Sequence, residues 1–375
     1  MFDHFTELKE ERHQCRIPLS MLVARDPTAV ALDSGIVFQY LCRMLMTHHN
    51  FVMRPGAHFA TCHQVLPKGK GEITLTVRLT GQPMNNGRCE LVHVLDDRAI
   101  DTLCAIVALA LGRTDGCPCS EPFWLNIDDI LALCQREKSH RAYIPRQRAL
   151  VTAHLLIFAQ TYISLHRCAS DSPGYAHILT YSPIIELMAT IPGKYQLPDG
   201  VLPWIACQIR VGDWLNLKAP FASLYAPVSR QVLKYHPQRE RYAKRLGRYL
   251  SLMFRVNKRH SGGVVKRRMR VLLEQAGIKP DMEHPERTRH MVESGLARLA
   301  GDGVIGHYMV AQPGDRHLLE LVEQCARGWW DIYASWLWTV APPEHYELWE
   351  AEIRDAGYAL SCRGGSSGSK SLASS

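Results

Sequence analysis

The 375-residue chain lacks several features that would place it in a large class of proteins at once. Its longest apolar runs, near 103–111 and 155–159, fall short of the roughly 20 residues that a membrane-spanning helix needs. The first fourteen residues are charged and do not contain the apolar core of a secretory signal. Twelve cysteines are present but form no paired framework, which is typical of reduced thiols. We therefore expect a cytoplasmic protein without a membrane partner.

Signatures of phosphate and metal chemistry are also missing. Both Gly-Lys dipeptides, at Gly69 and Gly193, lack the upstream glycine and the following hydroxyl of a P-loop, so a P-loop ATPase is not expected. No H-E-x-x-H or G-x-S-x-G segment occurs. One C-x-C segment begins at Cys117, and a zinc site that adds Cys134 or His140 competes there with an interpretation as loop thiols. The sequence predicts no cofactor and no metal.

What the chain does contain is an uneven distribution of positive charge. Residues 234–270 hold thirteen Lys or Arg and one acid, Glu240, which gives a local charge of +12 in a chain of net charge +8. The rest of the chain is therefore net acidic. Charge concentrated in this way is typical of a surface that binds a polyanion, and nucleic acid is the most common one.

The basic segment begins a predicted domain of three helices and a strand. Apolar residues at helical spacing predict a first helix over 238–256 and a second over 264–276, which ends at Gly277. A third helix is predicted from Pro285 to about 299, because proline suits the first helical position. A Gly-Asp-Gly turn then precedes a strand predicted over 304–311.

The third helix has two different faces when its residues are placed at about 100° intervals. Val292, Gly295, Leu296 and Leu299 gather on one side. The opposite side carries a second set, at offsets of three, four and four residues: Arg287, His290, Ser294 and Arg298. This helix can be an ordinary amphipathic surface helix, or it can pack on a core while its outer edge enters the major groove. The basic helices before it and the turn and strand after it favour recognition.

Upstream of the basic segment, the sequence predicts a hairpin and a second domain of similar order. Apolar residues alternate with Thr and Arg over 73–79, and a turn and a second apolar run complete a predicted β-hairpin over 72–95. Asp96 or Asp97 is predicted to cap a helix. That helix ends near 112 and is followed by predicted helices over 127–134 and 145–161 and by β-rich runs over 162–166, 177–181 and 204–214. Helix, short helix, longer helix and strands are the order of a winged helix, here with an enlarged wing.

The C-terminal part is rich in tryptophan. A helix is predicted from 317 to about 340, and four of the eight tryptophans lie within ten of its residues, at Trp329, Trp330, Trp336 and Trp338. These rings can form a packing face over the preceding domain, or a surface for a homodimer or another partner. Residues 363–375 are Gly- and Ser-rich and are expected to be a disordered tail.

Two such units in tandem resemble the plasmid replication initiators of the tandem winged-helix type, which bind origin repeats. The resemblance is carried by 245–250 (RLGRYL), by the Arg-bearing helix over 287–298, and by the turn and strand that follow to residue 310. It implies an α+β protein of tandem winged helix-turn-helix domains with an N-terminal hairpin-containing extension and a C-terminal aromatic helix. The corresponding domains are 1–95, 96–233, 234–312 and 313–362, followed by the tail. The N-terminal extension and the insert over 167–203 have no counterpart in this resemblance.

In that family the two domains bind origin DNA, open the neighbouring AT-rich duplex and recruit the host helicase. The resemblance therefore implies double-stranded DNA as partner, host replication factors as further partners, and no enzymatic activity. It implies that the base-reading residues are Arg287, His290, Ser294 and Arg298. The implied phosphate-binding residues are Arg241, Lys244, Arg245, Arg248, Lys258, Arg259, Lys266, Arg267, Arg268 and Arg270. The candidates in the first domain are Arg141, Arg146 and Arg148.

Two other functions compete with this interpretation. A winged-helix transcriptional regulator would use the same face. A tyrosine recombinase is the enzymatic alternative, because His284, Arg287 and His307 loosely resemble the second active-site box of that class. That chemistry needs a nucleophilic tyrosine after the last histidine, where only Tyr308 and Tyr333 are near. Tyr308 adjoins the histidine on a predicted strand, where we expect it to pack and not to attack.

Overall fold

The computed structural model describes residues 29–33, 36–46, 50–53, 58–66, 71–78, 95–111, 121–134, 144–166, 179–194, 202–215, 225–311, 316–325 and 328–351. The protein is a mixed α+β structure, and every strand pair among these residues is antiparallel. Both components were predicted from the alternation of helical and period-two patterns along the sequence.

The N-terminal part contains a five-stranded sheet, a three-stranded sheet and four helices among the described residues. Its elements are β1 (Ala29–Asp33), α1 (Ile36–Met46), β2 (Val52–Met53), β3 (Phe59–Val65), β4 (Glu72–Arg78), α2 (Asp97–Leu111), β5 (Phe123–Asn126), α3 (Ile127–Cys134), α4 (Ile144–Ala159), β6 (Thr161–His166), β7 (Leu179–Pro183), β8 (Ile185–Pro192) and β9 (Trp204–Val211).

The C-terminal part contains the basic segment. Its elements are β10 (Tyr225–Ser229), α5 (Arg230–Lys234), α6 (Arg241–Ser261), β11 (Val265–Arg268), α7 (Met269–Gln275), α8 (Pro285–Gly301), β12 (Tyr308–Ala311), α9 (Arg316–Glu323), α10 (Trp329–Ser335) and β13 (Leu337–Val340).

Two units of the chain repeat one order of elements. In the first, α2, β5, α3, α4, β8 and β9 occur in that order, with β6 and β7 between α4 and β8, and their strands form a sheet in the order β5-β9-β8. In the second, α6, β11, α7, α8, β12 and β13 occur in that order, with α9 and α10 between β12 and β13, and the sheet order is β11-β13-β12. In both sheets the last strand lies between the other two. The repeated order of helices predicted from the sequence is therefore present, but β5 and β8 in the first unit and β11 and β13 in the second were not predicted as strands.

The second helix of the basic unit was predicted wrongly. Residues 264–276 are not one helix, because β11 occupies their first part and α7 their second. Along β11 the side chains alternate between buried Val265, exposed Lys266, half-buried Arg267 and exposed Arg268. That alternation has period two, but four residues are too few to distinguish a strand from the start of a helix, and pairing with β13 decides between them.

The single helix predicted over 317–340 is also wrong. This stretch forms α9, α10 and the strand β13, which lies at the centre of the second unit's sheet between β11 and β12. The C-terminal segment therefore belongs to the second unit. Trp329, Trp330, Tyr333 and Trp338 are buried and contact one another through their rings. The interpretation of these tryptophans as a packing face is confirmed.

The N-terminal residues form a five-stranded sheet in the order β2-β3-β4-β6-β7. The predicted strand over 73–79 is β4, but it pairs with β3 and β6, and the second strand of the predicted hairpin lies almost entirely outside the described residues. One face of the sheet is buried through Ile73, Leu75 and Val77. The strands β6 and β7, which were assigned to an enlarged wing, thus complete this N-terminal sheet.

The N-terminal helix α1 links the five-stranded sheet to the second unit. Its buried residues pack in the common core, and Arg43 on its last turn forms an ion pair with Glu274 at 3.3 Å. Met46 lies so close to Gly277 that a Cβ at that glycine would be 3.0 Å from the methionine Cε. Because Gly277 has a φ of +69°, it also permits the left-handed turn that ends α7.

Candidate nucleic-acid interface

The third helix of the second unit, α8, is held close to α6 by two glycines. A Cβ at Gly295 would be 3.1 Å from the backbone nitrogen of Ala243, and a Cβ at Gly247 would be 2.8 Å from Leu299 Cδ2. The inner face of α8 is completed by Val292 and Leu296, both fully buried. Close packing of this face fixes which residues of α8 point outward.

The outward face of α8 is the one predicted from the sequence. Arg287, His290, Ser294 and Arg298 are all exposed and lie along one side of the helix. Ala297 is exposed between them and adds little bulk. The result is a ridge with cationic ends and a low, polar middle, which we call the recognition face and define by Arg287, His290, Ser294 and Arg298.

Acidic neighbours orient Arg298. Its Nε donates to Asp302 Oδ2 at 2.8 Å, and its guanidinium also lies 3.9 Å from Glu240. The Tyr235 hydroxyl donates to the same Asp302 oxygen at 2.9 Å. Burial raises the pKa of Tyr235, and the Asp302 carboxylate adds to the increase, so the phenol stays protonated as a donor. Sequence reasoning missed this network, although the i,i+4 spacing of Arg298 and Asp302 is a local signal for it.

The opposite flank of α8 is covered by the helices inserted between β12 and β13. Arg289 donates to the Val322 carbonyl at 3.2 Å and lies 5.3 Å from the ring centroid of Tyr333. It also pairs with Glu293, which accepts a hydrogen bond from the Tyr333 hydroxyl at 3.3 Å. Arg289 therefore holds the inserted helices α9 and α10 against α8, and the recognition face lies on the side of α8 that these helices leave exposed.

Of the residues predicted to bind phosphate, Lys244 and Arg248 are buried and Arg245 is largely buried, so their charges are paired inside the protein and are not presented to a ligand. Lys244 is fully buried and donates to Asp101 Oδ2 at 2.5 Å and to the Leu233 carbonyl at 2.8 Å. Arg248 is 3% exposed and donates to Asp101 at 2.9 Å. Arg245 pairs with Asp97 at 2.8 Å. We call these five residues the buried ion cluster. Its two acids lie on the first helix of the first unit, so it joins the two units.

The remaining residues predicted to bind phosphate differ in their exposure and in the ion pairs that they form. Lys258 forms an ion pair with the buried carboxylate of Glu350, so its charge is already neutralised by the protein. Arg270 pairs with Asp331 but both side chains are largely exposed, so that pair is open to exchange. Arg267 is half-buried, and the side chain of Arg259 lies outside the described residues. The exposed members of the set are Arg241, Lys266, Arg268 and Arg270.

The third helix of the first unit, α4, carries fewer exposed cations than α8. Arg148 on α4 is bound to Asp128 through two hydrogen bonds, at 2.8 Å and 2.5 Å. Arg146 is exposed, and Arg141 lies outside the described residues. The long helix of this unit thus has one exposed arginine where α8 has two.

The tyrosines that a recombinase mechanism would need are both engaged in packing. Tyr333 is fully buried and donates to Glu293. Tyr308 is half-buried, with its ring stacked on that of Trp338 at a centroid distance of 6.1 Å. Burial raises the pKa of Tyr333, which opposes its ionisation to a nucleophile.

Within the described part of the chain, no group of three or more His, Cys, Asp or Glu side chains is arranged to hold a metal ion. In the same ranges, no helix has both the length and the apolar character to cross a membrane.

Comparisons with known proteins give weak structural likenesses. No protein-family model matches the chain, and no curated protein is similar to it in sequence. A crystal structure of selenomethionine derivatives of domains 2 and 3 of RctB is similar with a TM-score of 0.45 and 11% identity, over 80% of this chain and 98% of that one. A second structure of RctB domains 2–3 gives a TM-score of 0.42 and 14% identity, over 82% and 98%. Likenesses this weak do not determine what the chain does.

Proposed function

We propose that the protein binds double-stranded DNA in a sequence-specific manner through two winged helix-turn-helix units, and that it initiates plasmid or mobile-element replication at origin repeats. The observation that carries the proposal is the recognition face, an exposed polar ridge on the third helix of a unit with helix-strand-helix-helix-strand-strand order. A helix of this kind fits the major groove, where arginine pairs with guanine and serine contacts a base or phosphate.

The exposed cations of the second unit support binding of the DNA phosphate backbone. Arg241 on the first turn of α6 and Lys266 and Arg268 on the edge strand β11 are exposed and lie outside the buried ion cluster. Phosphate contacts of this type fix the register of a protein on the duplex but carry no sequence information. The first unit contributes the exposed Arg146 in this proposal.

The buried ion cluster supports a tandem mode of binding. It ties α2 of the first unit to α6 of the second through charges that have almost no access to water. Two units joined in this way keep one relative orientation, so both can contact the same duplex without an ordering step at each encounter. Replication initiation then requires opening of the adjacent duplex, with host factors such as a helicase as further partners in the cytoplasm.

The first test is footprinting on DNA that flanks the gene, with a probe specific for unpaired bases. Protection of direct repeats together with unpaired bases in an adjacent AT-rich tract is expected for an initiator. Protection of an inverted repeat in a promoter, without unpaired bases, would instead establish a transcriptional regulator. Absence of any protected site would contradict both functions.

The second test separates base reading from phosphate binding with a matched pair of variants. Arg298→Ala should relax base preference at one position of the site by about 1–3 kcal/mol. Lys266→Ala should weaken binding to all sequences equally and reduce the slope of log K against log salt by about 0.9. Equal loss on all sequences for Arg298→Ala would identify it as a phosphate contact and remove the basis for base reading by this face.

We propose that the protein acts without enzymatic catalysis. The packing of Tyr308 and Tyr333 supports this, because a covalent strand-transfer step needs an accessible tyrosine. The test is a search for covalent protein–DNA adducts after denaturation. An adduct that disappears in Tyr308→Phe or Tyr333→Phe would show that the recombinase interpretation is the better one.

A further inference from the structure

The N-terminal sheet has a second face that the DNA-binding proposal does not use. Residues that alternate with the buried core positions on β3, β4 and β6 point away from α1, and most are exposed or half-buried. Thr61 lies opposite Thr76 in the register, and His63 lies opposite Thr74, with 2.9 Å between the Thr74 hydroxyl and His63 Nδ1. The face is therefore polar and rich in hydroxyl groups.

One end of this face carries a cluster of aromatic rings around an arginine. The rings of Tyr162 on β6 and Tyr181 on β7 are stacked, with centroids 4.4 Å apart and planes within 11°. The Arg78 guanidinium lies 4.4 Å from the Tyr162 centroid and 5.5 Å from that of Tyr181. Phe59 is directly opposite Arg78 on β3. These four residues form what we call the aromatic row.

The aromatic row is accessible. Phe59 is 44% exposed and Tyr181 is 45% exposed, although residues of this type usually bury most of their surface. The row crosses from β3 to β7, and Phe59 and Tyr162 are separated by two strand spacings, or about 10 Å. A surface of this width holds roughly two or three unpaired bases on aromatic side chains of an open sheet.

The chemistry of the row fits unpaired bases better than a duplex. A base has two π-faces that stack on tyrosine and phenylalanine, while the guanidinium of Arg78 can stack on a base or bind its phosphate. In a duplex those π-faces are covered by neighbouring base pairs. Among the described residues of β3, β4 and β6 on this face, the carboxylate is that of Glu72 at the far end of β4, roughly 20 Å from Arg78, so it does not repel a phosphate at the row.

We propose that this face of the N-terminal sheet binds single-stranded DNA, with Tyr181, Tyr162, Phe59 and Arg78 as the stacking surface. The choice of DNA over RNA rests on the proposed function, because a protein that opens a duplex exposes an unpaired DNA strand beside its own binding site. The stacking surface itself rests only on the geometry of the sheet.

The test measures, by fluorescence anisotropy, the binding of the full chain to fluorescein-labelled oligo(dT) of about 12 nucleotides. That length lies within the range bound by a single stacking domain. Tyr181→Ala and Phe59→Ala should each weaken binding by about tenfold, which is the typical loss for one stacked base. Tyr181→Phe keeps the ring and should retain binding. Val65→Ala, at an exposed apolar position of the same face away from the row, is the matched control and should also retain it.

Several outcomes would overturn the proposal. Equal affinity of wild type, Tyr181→Ala and Phe59→Ala for oligo(dT) would remove the row as a site, and so would an absence of binding by a wild type that melts cooperatively. Tighter binding to oligo(rU) than to oligo(dT) would reassign the face to RNA. Thermal unfolding of each variant must match wild type, and Phe59→Ala tests the row independently if Tyr181→Ala fails to fold.

Duplex binding separates this inference from the proposed function. Tyr181→Ala should bind the duplex target as wild type does, while Arg298→Ala should bind oligo(dT) as wild type does. Loss of oligo(dT) binding in Tyr181→Ala, together with no duplex target for the wild type, would uphold the stacking surface and contradict duplex recognition. The reverse pattern would uphold duplex recognition and contradict the stacking surface.

Discussion

Replacing Asp101 by asparagine removes the negative charge that lies between two buried cations. Lys244 contacts one carboxylate oxygen of Asp101 at 2.5 Å and Arg248 contacts the other at 2.9 Å. Burial raises the pKa of Asp101, and the charges of Lys244 and Arg248 oppose that increase. Asparagine has the same shape but no charge, so Asp101→Asn leaves Lys244 fully buried without its counter-ion.

The expected loss is large because water cannot replace the missing charge. Removal of one partner from a buried ion pair costs about 3–5 kcal/mol in the free energy of unfolding, since the remaining ion stays desolvated. Asp97 compensates little, because its carboxylate is 3.8 Å from Arg248 and already pairs with Arg245. The Leu233 carbonyl still accepts from Lys244 and limits the loss to this range.

The assay is equilibrium unfolding in urea, with a matched control at a less buried pair. Glu186→Gln removes the carboxylate that binds Arg210, where both side chains are about one third exposed, and should cost about 0–1 kcal/mol. In the double variant Asp101→Asn/Lys244→Met, the combined loss should be smaller than the sum of the single losses by about 0.5–3 kcal/mol. A loss for Asp101→Asn no larger than for Glu186→Gln would refute the view that this cluster joins the units.

Two further predictions concern packing and pH. Gly295→Ala should destabilise the protein by about 1–3 kcal/mol, because the new Cβ would be 3.1 Å from the Ala243 nitrogen. The control Gly301→Ala should not destabilise it, because no atom lies within 4 Å of a Cβ at that position. Similar urea midpoints for the two variants would contradict the close packing of α8. Burial lowers the pKa of His154 to about 3, below its ordinary value of about 6.5, so the folded state binds fewer protons than the unfolded state between these pH values. Stability should therefore fall by up to about 1.4 kcal/mol per pH unit as the pH decreases through this window. His154→Leu should flatten that dependence, and an unchanged slope would show that another group is responsible.

Local patterns in the sequence predicted much of the candidate site. The inner and outer faces of α8 follow from the spacing of Val292, Leu296 and Leu299, because an amphipathic helix has one way to lie on a core. Asp96 was one of two residues predicted to cap α2, and its carboxylate does accept from the backbone nitrogens of Arg98 and Ala99. Helix α3 occupies the predicted residues because its capping and apolar signals are adjacent in the chain.

Features that depend on distant residues were beyond local patterns. Lys244 and Arg248 have the sequence appearance of surface cations, and they are buried because Asp101, 143 residues away from Lys244, meets them in the fold. The strand β13 was predicted as part of a helix, because the aromatic residues at 329–338 fit both the helical period of 3.6 residues and the strand period of two. Only pairing with β11 and β12 selects the strand.

The sequence by itself thus determined the charge of the second unit, the repeated order of helices and the outer face of α8, since each depends on neighbours within a few turns of the chain. The tertiary structure decided which cations stay at the surface and which form buried ion pairs between the two units. It also decided that Phe59, Arg78, Tyr162 and Tyr181 meet on one open face. Residues that far apart in sequence come together only through the register of four strands, which hydrogen bonds between strands determine.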